Sequence, residues 1–140
     1  MSFLLSESGA IGQMVIDVLL SNMINGIYKV EFTGPEEGSG VVIVRDFKFT
    51  GGDGYFYYSG VFSQHVGELE ATFEVKRHTP GAGSVFGRDA LTATLTGKAG
   101  HKGFFLEAPG KAFTISGEWL EPAIFENDEK AASIASREAA

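Results

Sequence analysis

The chain has 140 residues, 44% of them apolar, and it contains no cysteine. This length and composition predict one globular domain with its own core, and they exclude disulfides, thiolate nucleophiles and zinc–thiolate centres. Eighteen acidic against eleven basic side chains give a formal net charge of −7, which argues against nucleic acid or an anionic membrane as a binding partner.

Residues 1–24 are predicted to form an N-terminal amphipathic extension. Between Ile11 and Asn22, apolar side chains recur at spacings of three and four, as on one face of a helix. Asp17 interrupts the apolar stretch 11–20 and no basic residue precedes it, which is atypical of a secretory signal or a membrane span. We therefore expect a cytoplasmic protein. The extension either packs on the barrel or on another chain, or it is an accessory to a domain that begins near Met23.

Residues 25–122 are predicted to form the main domain, because the apolar pattern there changes to a period of two. The most regular run is 68–76, in which apolar side chains alternate with charged residues and threonine. About eight such strands are separated by turns that contain glycine or proline. Consecutive hairpin-linked strands can close on themselves, so the sequence predicts an all-β, up-and-down antiparallel eight-stranded barrel, with a β-sandwich as the alternative.

The final residues, 123–140, are rich in alanine and are predicted to form a short C-terminal helix or a tail. Asn127 is the candidate helix cap, and Asp128 and Glu129 would lie in the first turn, where negative charge is favourable.

Candidate catalytic motifs are weak throughout the chain. Ser39 stands between two glycines but lacks the spacing of a nucleophile elbow, and the three histidines lack the paired spacing of a metal site. Gly51, Gly52 and Asp53 are interpreted as a structural turn, because an aspartate among glycines accepts hydrogen bonds from nearby backbone in tight reversals. The sequence therefore predicts a protein that is not an enzyme and that needs no metal or cofactor.

Several short motifs follow one another in a recognisable order along the predicted barrel. They are NGIYKVEF at 25–32, GSGVVIV at 38–44, TGGD at 50–53, YSGV at 58–61 and EWLEP at 118–122. In this order they resemble the GrlR-like family, small lipocalin-like barrels named for a negative regulator of type III secretion genes. The resemblance spans residues 25–122.

The resemblance implies a homodimeric barrel that restrains a helix-turn-helix transcription activator by binding the activator, not the DNA. The founding member carries an acidic loop after its Tyr-x-Gly-Val strand that is implicated in gripping its partner. Here that place holds Gln64, His65, Val66 and Gly67, none of them acidic, and these residues are the candidate partner-binding site.

Two further functions compete with a regulatory role. An eight-stranded barrel with room inside would carry a small apolar ligand, whereas many inward phenylalanines would fill the interior. A hydrolase acting on small substrates is the third hypothesis, and it rests only on the presence of Ser, His and Asp in the chain.

Overall fold

The computed structural model describes residues 23–65, 67–81, 83 and 86–124. Eight antiparallel strands pair in chain order, and the last pairs back onto the first to close a barrel. The strands are β1 (Gly26–Thr33), β2 (Glu37–Arg45), β3 (Lys48–Gly52), β4 (Phe56–His65), β5 (Glu68–Arg77), β6 (Ala90–Gly100), β7 (Gly103–Glu107) and β8 (Thr114–Glu121), with a short 3-10 helix (Pro109–Lys111) before β8.

The prediction of an all-β, closed, up-and-down eight-stranded barrel is confirmed, and the sandwich alternative is wrong. The predicted N-terminal extension, 1–24, and C-terminal helix or tail, 123–140, lie outside the described residues except for 23–24 and 123–124, which are neither helix nor strand.

Alternating side chains account for the strands. In β5, Leu69, Ala71, Phe73 and Val75 are buried, while the residues between them face outward. Since a strand has a side-chain period of two, this pattern fixes which face of β5 lines the interior. The register of β5 against β4 and β6 then brings inward residues of the three strands opposite one another.

The strand order sorts the loops into two ends. The upper end carries the β1–β2 loop, the β3–β4 turn, the β5–β6 loop and the 3-10 helix. The lower end carries the β2–β3, β4–β5 and β6–β7 turns, together with residues 23–25, which enter β1.

Aromatic rings fill the barrel interior. Phe73 packs near its centre, with ring centroids 5.7 to 6.4 Å from those of its aromatic neighbours, which are Phe32, Phe49, Tyr58, Phe86 and Phe113. The void that remains among the inward side chains measures about 10 Å³. That is close to the room needed by one water molecule and far below the several hundred Å³ of a ligand pocket.

Residues 23–25 belong to the barrel core and its lower rim. Met23 is buried, the Ile24 N–H donates to the carbonyl of His101 (3.2 Å), and the Tyr28 hydroxyl donates to the carbonyl of Ile24 (2.6 Å). The Trp119 indole N–H donates to the carbonyl of Asn25 (3.2 Å). These contacts hold residues 23–25 against the β6–β7 turn and β8.

The buried tyrosines predict a loss of stability in alkali. Burial raises the pKa of Tyr28 to about 12, and burial together with the hydrogen bond and negative charge of Asp53 raises the pKa of Tyr58. Unfolded tyrosine ionises near pH 10, so the stabilisation is complete below pH 10 and is lost as pH rises above it. From pH 10 to 12 each tyrosine should lower the free energy of unfolding by about 1.4 kcal/mol per pH unit.

Urea unfolding followed by Trp119 fluorescence at several pH values measures this slope. Tyr28→Phe should reduce the slope by about half relative to the wild-type chain, because one of the two buried phenols is gone. Equal slopes for the variant and the wild type would contradict the assignment.

Candidate functional site

Three of the four residues predicted to bind a partner are described by the structure, and they lie at the lower end of the barrel. Gln64 and His65 end β4, and Gly67 occupies the following turn with φ of 75°, while Val66 lies outside the described residues. The His65 ring nitrogen Nε2 is 3.7 Å from Oε1 of Glu70 on the outer face of β5. The hairpin therefore presents polar, exposed groups at the lower rim.

The glycine–aspartate motif is placed at the upper end. Gly51 and Gly52 are the last residues of β3, and the reversal itself runs from Asp53 to Tyr55. Gly51 lies so close to the Val41 carbonyl that a Cβ would overlap it, which explains glycine at this strand position.

Asp53 holds the β3–β4 turn through both carboxylate oxygens. Oδ1 accepts hydrogen bonds from the backbone N–H groups of Tyr55 and Phe56, each at 2.8 Å, and Oδ2 accepts one from the buried Tyr58 hydroxyl. His78 Nε2 lies 3.0 Å from the Asp53 carbonyl oxygen and ties the β5–β6 loop to the same turn.

Arg77 fixes the β5–β6 loop over the upper end. Its Nε donates to Oδ1 of Asp89 (2.7 Å), a terminal nitrogen donates to the Gly83 carbonyl (2.9 Å), and the guanidinium lies 4.5 Å above the Phe56 ring. Only 16% of the Arg77 side chain is exposed, so these bonds operate in a partly desolvated setting. From this loop Phe86 places its ring against those of Phe32 and Phe113, closing the upper mouth of the barrel.

A crevice opens at the upper end beside this closure, and we call it the upper crevice. It has a volume of about 290 Å³ and lies between the β1–β2 loop, the β3–β4 turn and the β5–β6 loop. Residues of different chemistry line it, among them Glu36, Glu37, Asp53, Gly54, Tyr55 and Phe86. Carboxylates and aromatic rings therefore meet in one concave place.

The outer surface of β2, β3 and β4 forms a second feature, which we call the neutral face. Its four large apolar side chains are between 41% and 49% exposed. Val41 pairs with Gly52, which in turn pairs with Tyr57, so a strand position without a side chain separates the two. Seven outward residues without charge make up the neutral face: Val41, Ile43, Thr50, Gly52, Tyr57, Ser59 and Val61. Arg45 and Lys48 are exposed outward residues at its lower border, where Lys48 pairs with Val61.

Comparison with known proteins assigns no function to the upper crevice or the neutral face. No protein-family model matches the chain, and no curated protein matches it significantly. Among the described residues there is no group of three or more His, Asp or Glu side chains that could hold a metal ion. Within the same part of the chain, no helix has the length and apolarity needed to cross a bilayer.

Alternation alone could have located part of the neutral face. It places Tyr57 on the side of its strand opposite to Phe56 and Tyr58, and the run of apolar residues 41–44 must send two side chains outward. The upper crevice carried no such signal, because its walls come from three loops far apart in the chain.

Proposed function

We propose that the chain is a non-enzymatic regulatory protein, a lipocalin-like barrel of the GrlR type, that works by binding other proteins. In this proposal it is a homodimer in the cytoplasm and restrains a helix-turn-helix transcription activator by binding it directly. The observation that carries the proposal is the neutral face, since clustered apolar side chains at the surface of a small domain mark protein interaction sites.

Two further observations support this function over the alternatives. The void of about 10 Å³ leaves no room for a carried ligand in the interior that the described residues enclose. The net charge of −7 disfavours contact with DNA and favours a basic partner, such as a DNA-binding protein.

In the proposed dimer a second copy of the chain covers the neutral face. Ile43 lies on β2, paired with Ile27 on β1 and Thr50 on β3, and it shares a surface depression with Arg45 and Lys48. A lysine at this position would add a third positive charge there and bury an unpaired ammonium group in the interface, which costs several kcal/mol.

Light scattering coupled to size-exclusion chromatography tests the dimer. We expect Ile43→Lys to weaken dimerisation at least tenfold and to shift the full-length chain to a monomer at micromolar concentration. The matched control is Thr94→Lys, which adds the same charge to an exposed outward position on β6. A wild-type monomer, or equal effects of the two variants, would reject the neutral face as the dimer interface.

A further inference from the structure

We propose that the upper crevice binds a basic side chain, the guanidinium of an arginine presented by a partner protein. This proposal rests on the function proposed above only in taking the arginine to belong to a protein. The site is distinct from the neutral face, since none of the residues that line it belongs to that face.

The lining of the upper crevice matches the chemistry of a guanidinium on an apolar stem. Glu36 and Glu37 contribute two exposed carboxylates from the β1–β2 side. Asp53, whose oxygens already accept hydrogen bonds within the β3–β4 turn, adds negative charge from the opposite side. Tyr55 and Phe86 add aromatic surface. Carboxylates accept the N–H groups of a guanidinium, and aromatic faces attract a cation and pack against its methylene stem.

Hydrogen bonds hold two residues in the walls of the upper crevice in the absence of a ligand. Asp53 is fixed by the bonds that it accepts in the β3–β4 turn. The carbonyl of Tyr55 accepts a hydrogen bond from the backbone N–H of His78 (2.8 Å), and the Tyr55 ring lies close to Gly81. Glu36 lies close to Gly83, so the β1–β2 loop and the β5–β6 loop approach each other at the crevice. A site held in advance loses less conformational entropy on binding.

Concavity, and not negative charge alone, distinguishes this site. The outer face of β5 also carries three carboxylates, those of Glu68, Glu70 and Glu74, on a convex strand surface. The upper crevice encloses about 290 Å³, close to the lower bound of about 300 Å³ for small-molecule pockets and large enough for one head group with its stem. The two acidic surfaces therefore provide an internal comparison within one molecule.

Gly54 offers a way to fill the upper crevice without disturbing the fold. It lines the crevice, a Cβ added to it would meet no atom within 4 Å, and its φ lies outside the left-handed region. Gly100, at the lower end, has the same two properties and does not line the crevice. Gly54→Val and Gly100→Val are therefore a matched pair.

The experiment is a titration of the ¹⁵N-labelled full-length chain with the peptide acetyl-Ala-Arg-Ala-amide, followed by two-dimensional NMR. The comparison peptide replaces arginine with citrulline, which keeps the shape and removes the charge. We expect saturable shifts of the Gly38, Gly54 and Gly83 amides with the arginine peptide, and at least tenfold weaker binding of the citrulline peptide. Gly54→Val and Glu37→Gln should each weaken arginine binding at least fivefold, whereas Gly100→Val and Glu74→Gln should leave it unchanged.

Three results would overturn the proposal. One is equal binding of both peptides, and another is shifts that fail to saturate and spread to Glu68, Glu70 and Glu74. The third is binding of free agmatine as tightly as the peptide, which would assign the crevice to a small amine and not to a protein. Light scattering of Gly54→Val distinguishes a failure of the crevice proposal from a failure of the dimer proposal, because filling the crevice should leave the dimer intact.

Discussion

Replacing Phe73 with alanine is expected to lower the free energy of unfolding by about 3–5 kcal/mol, the largest effect of any single change considered. Phe73 is 2% exposed and its ring packs among the aromatic side chains that fill the barrel. Truncation removes buried apolar surface and leaves a cavity that a closed sheet cannot easily collapse to fill. Urea unfolding followed by circular dichroism measures the change.

Phe105→Ala is the matched control for this prediction. Phe105 has the same side chain but points outward from β7 and is 46% exposed. Its loss should change the free energy of unfolding by less than about 1 kcal/mol, since little buried surface disappears. Similar values for the two variants would contradict the description of the barrel as filled by its own aromatic rings.

Asp53→Ala is expected to have the second largest effect, a loss of about 2–4 kcal/mol in the free energy of unfolding. The change removes the acceptor of two backbone N–H groups in the β3–β4 turn. It also leaves the hydroxyl of Tyr58, a residue only 2% exposed, without the carboxylate that accepts its hydrogen bond. An orphaned buried donor costs more than the bond contributed.

A double-mutant cycle isolates the contribution of the buried hydroxyl. Once Tyr58→Phe has removed that donor, Asp53→Ala should cost at least about 1 kcal/mol less than in the wild-type chain. Glu74→Ala, which deletes an exposed carboxylate from the outer face of β5, should be close to neutral. Strict additivity of the two changes would show that Asp53 and Tyr58 do not support each other.

The fold was predictable because two local signals agree along the chain. Period-two alternation, clearest in β5, identified the strands, and glycine- or proline-bearing segments such as Gly34-Pro35 identified the reversals. Closure followed from the topology, because consecutive antiparallel strands with one apolar face leave few other ways to protect their edges.

The interior was harder to predict than the wall. Alternation assigns Phe32, Phe49 and Phe73 to the inner face, but whether their rings meet or leave a pocket depends on the barrel's width and on the angle of each ring. Phe86 is the clearest example, since a residue in a glycine-rich loop carries no periodic signal and yet its ring closes the upper mouth.

The candidate sites could not be predicted from local sequence patterns either, because they form only when distant segments come together. The neutral face depends on register, which places Gly52 between Val41 and Tyr57 and so joins two apolar positions into one surface. The upper crevice depends on three loops that meet only after the barrel closes. Gln64, His65 and Gly67, which the family resemblance predicts to bind a partner, lie at the opposite end of the barrel from that crevice.

We propose that this barrel acts by binding proteins and not by carrying a ligand, and native mass spectrometry distinguishes the two functions. The full-length chain would be purified gently from its own cells and examined without denaturation. We expect a dimer, free of small molecules, that retains a helix-turn-helix protein. A monomer that releases one apolar compound in stoichiometric amount would contradict this proposal and would make the carrier function the better explanation.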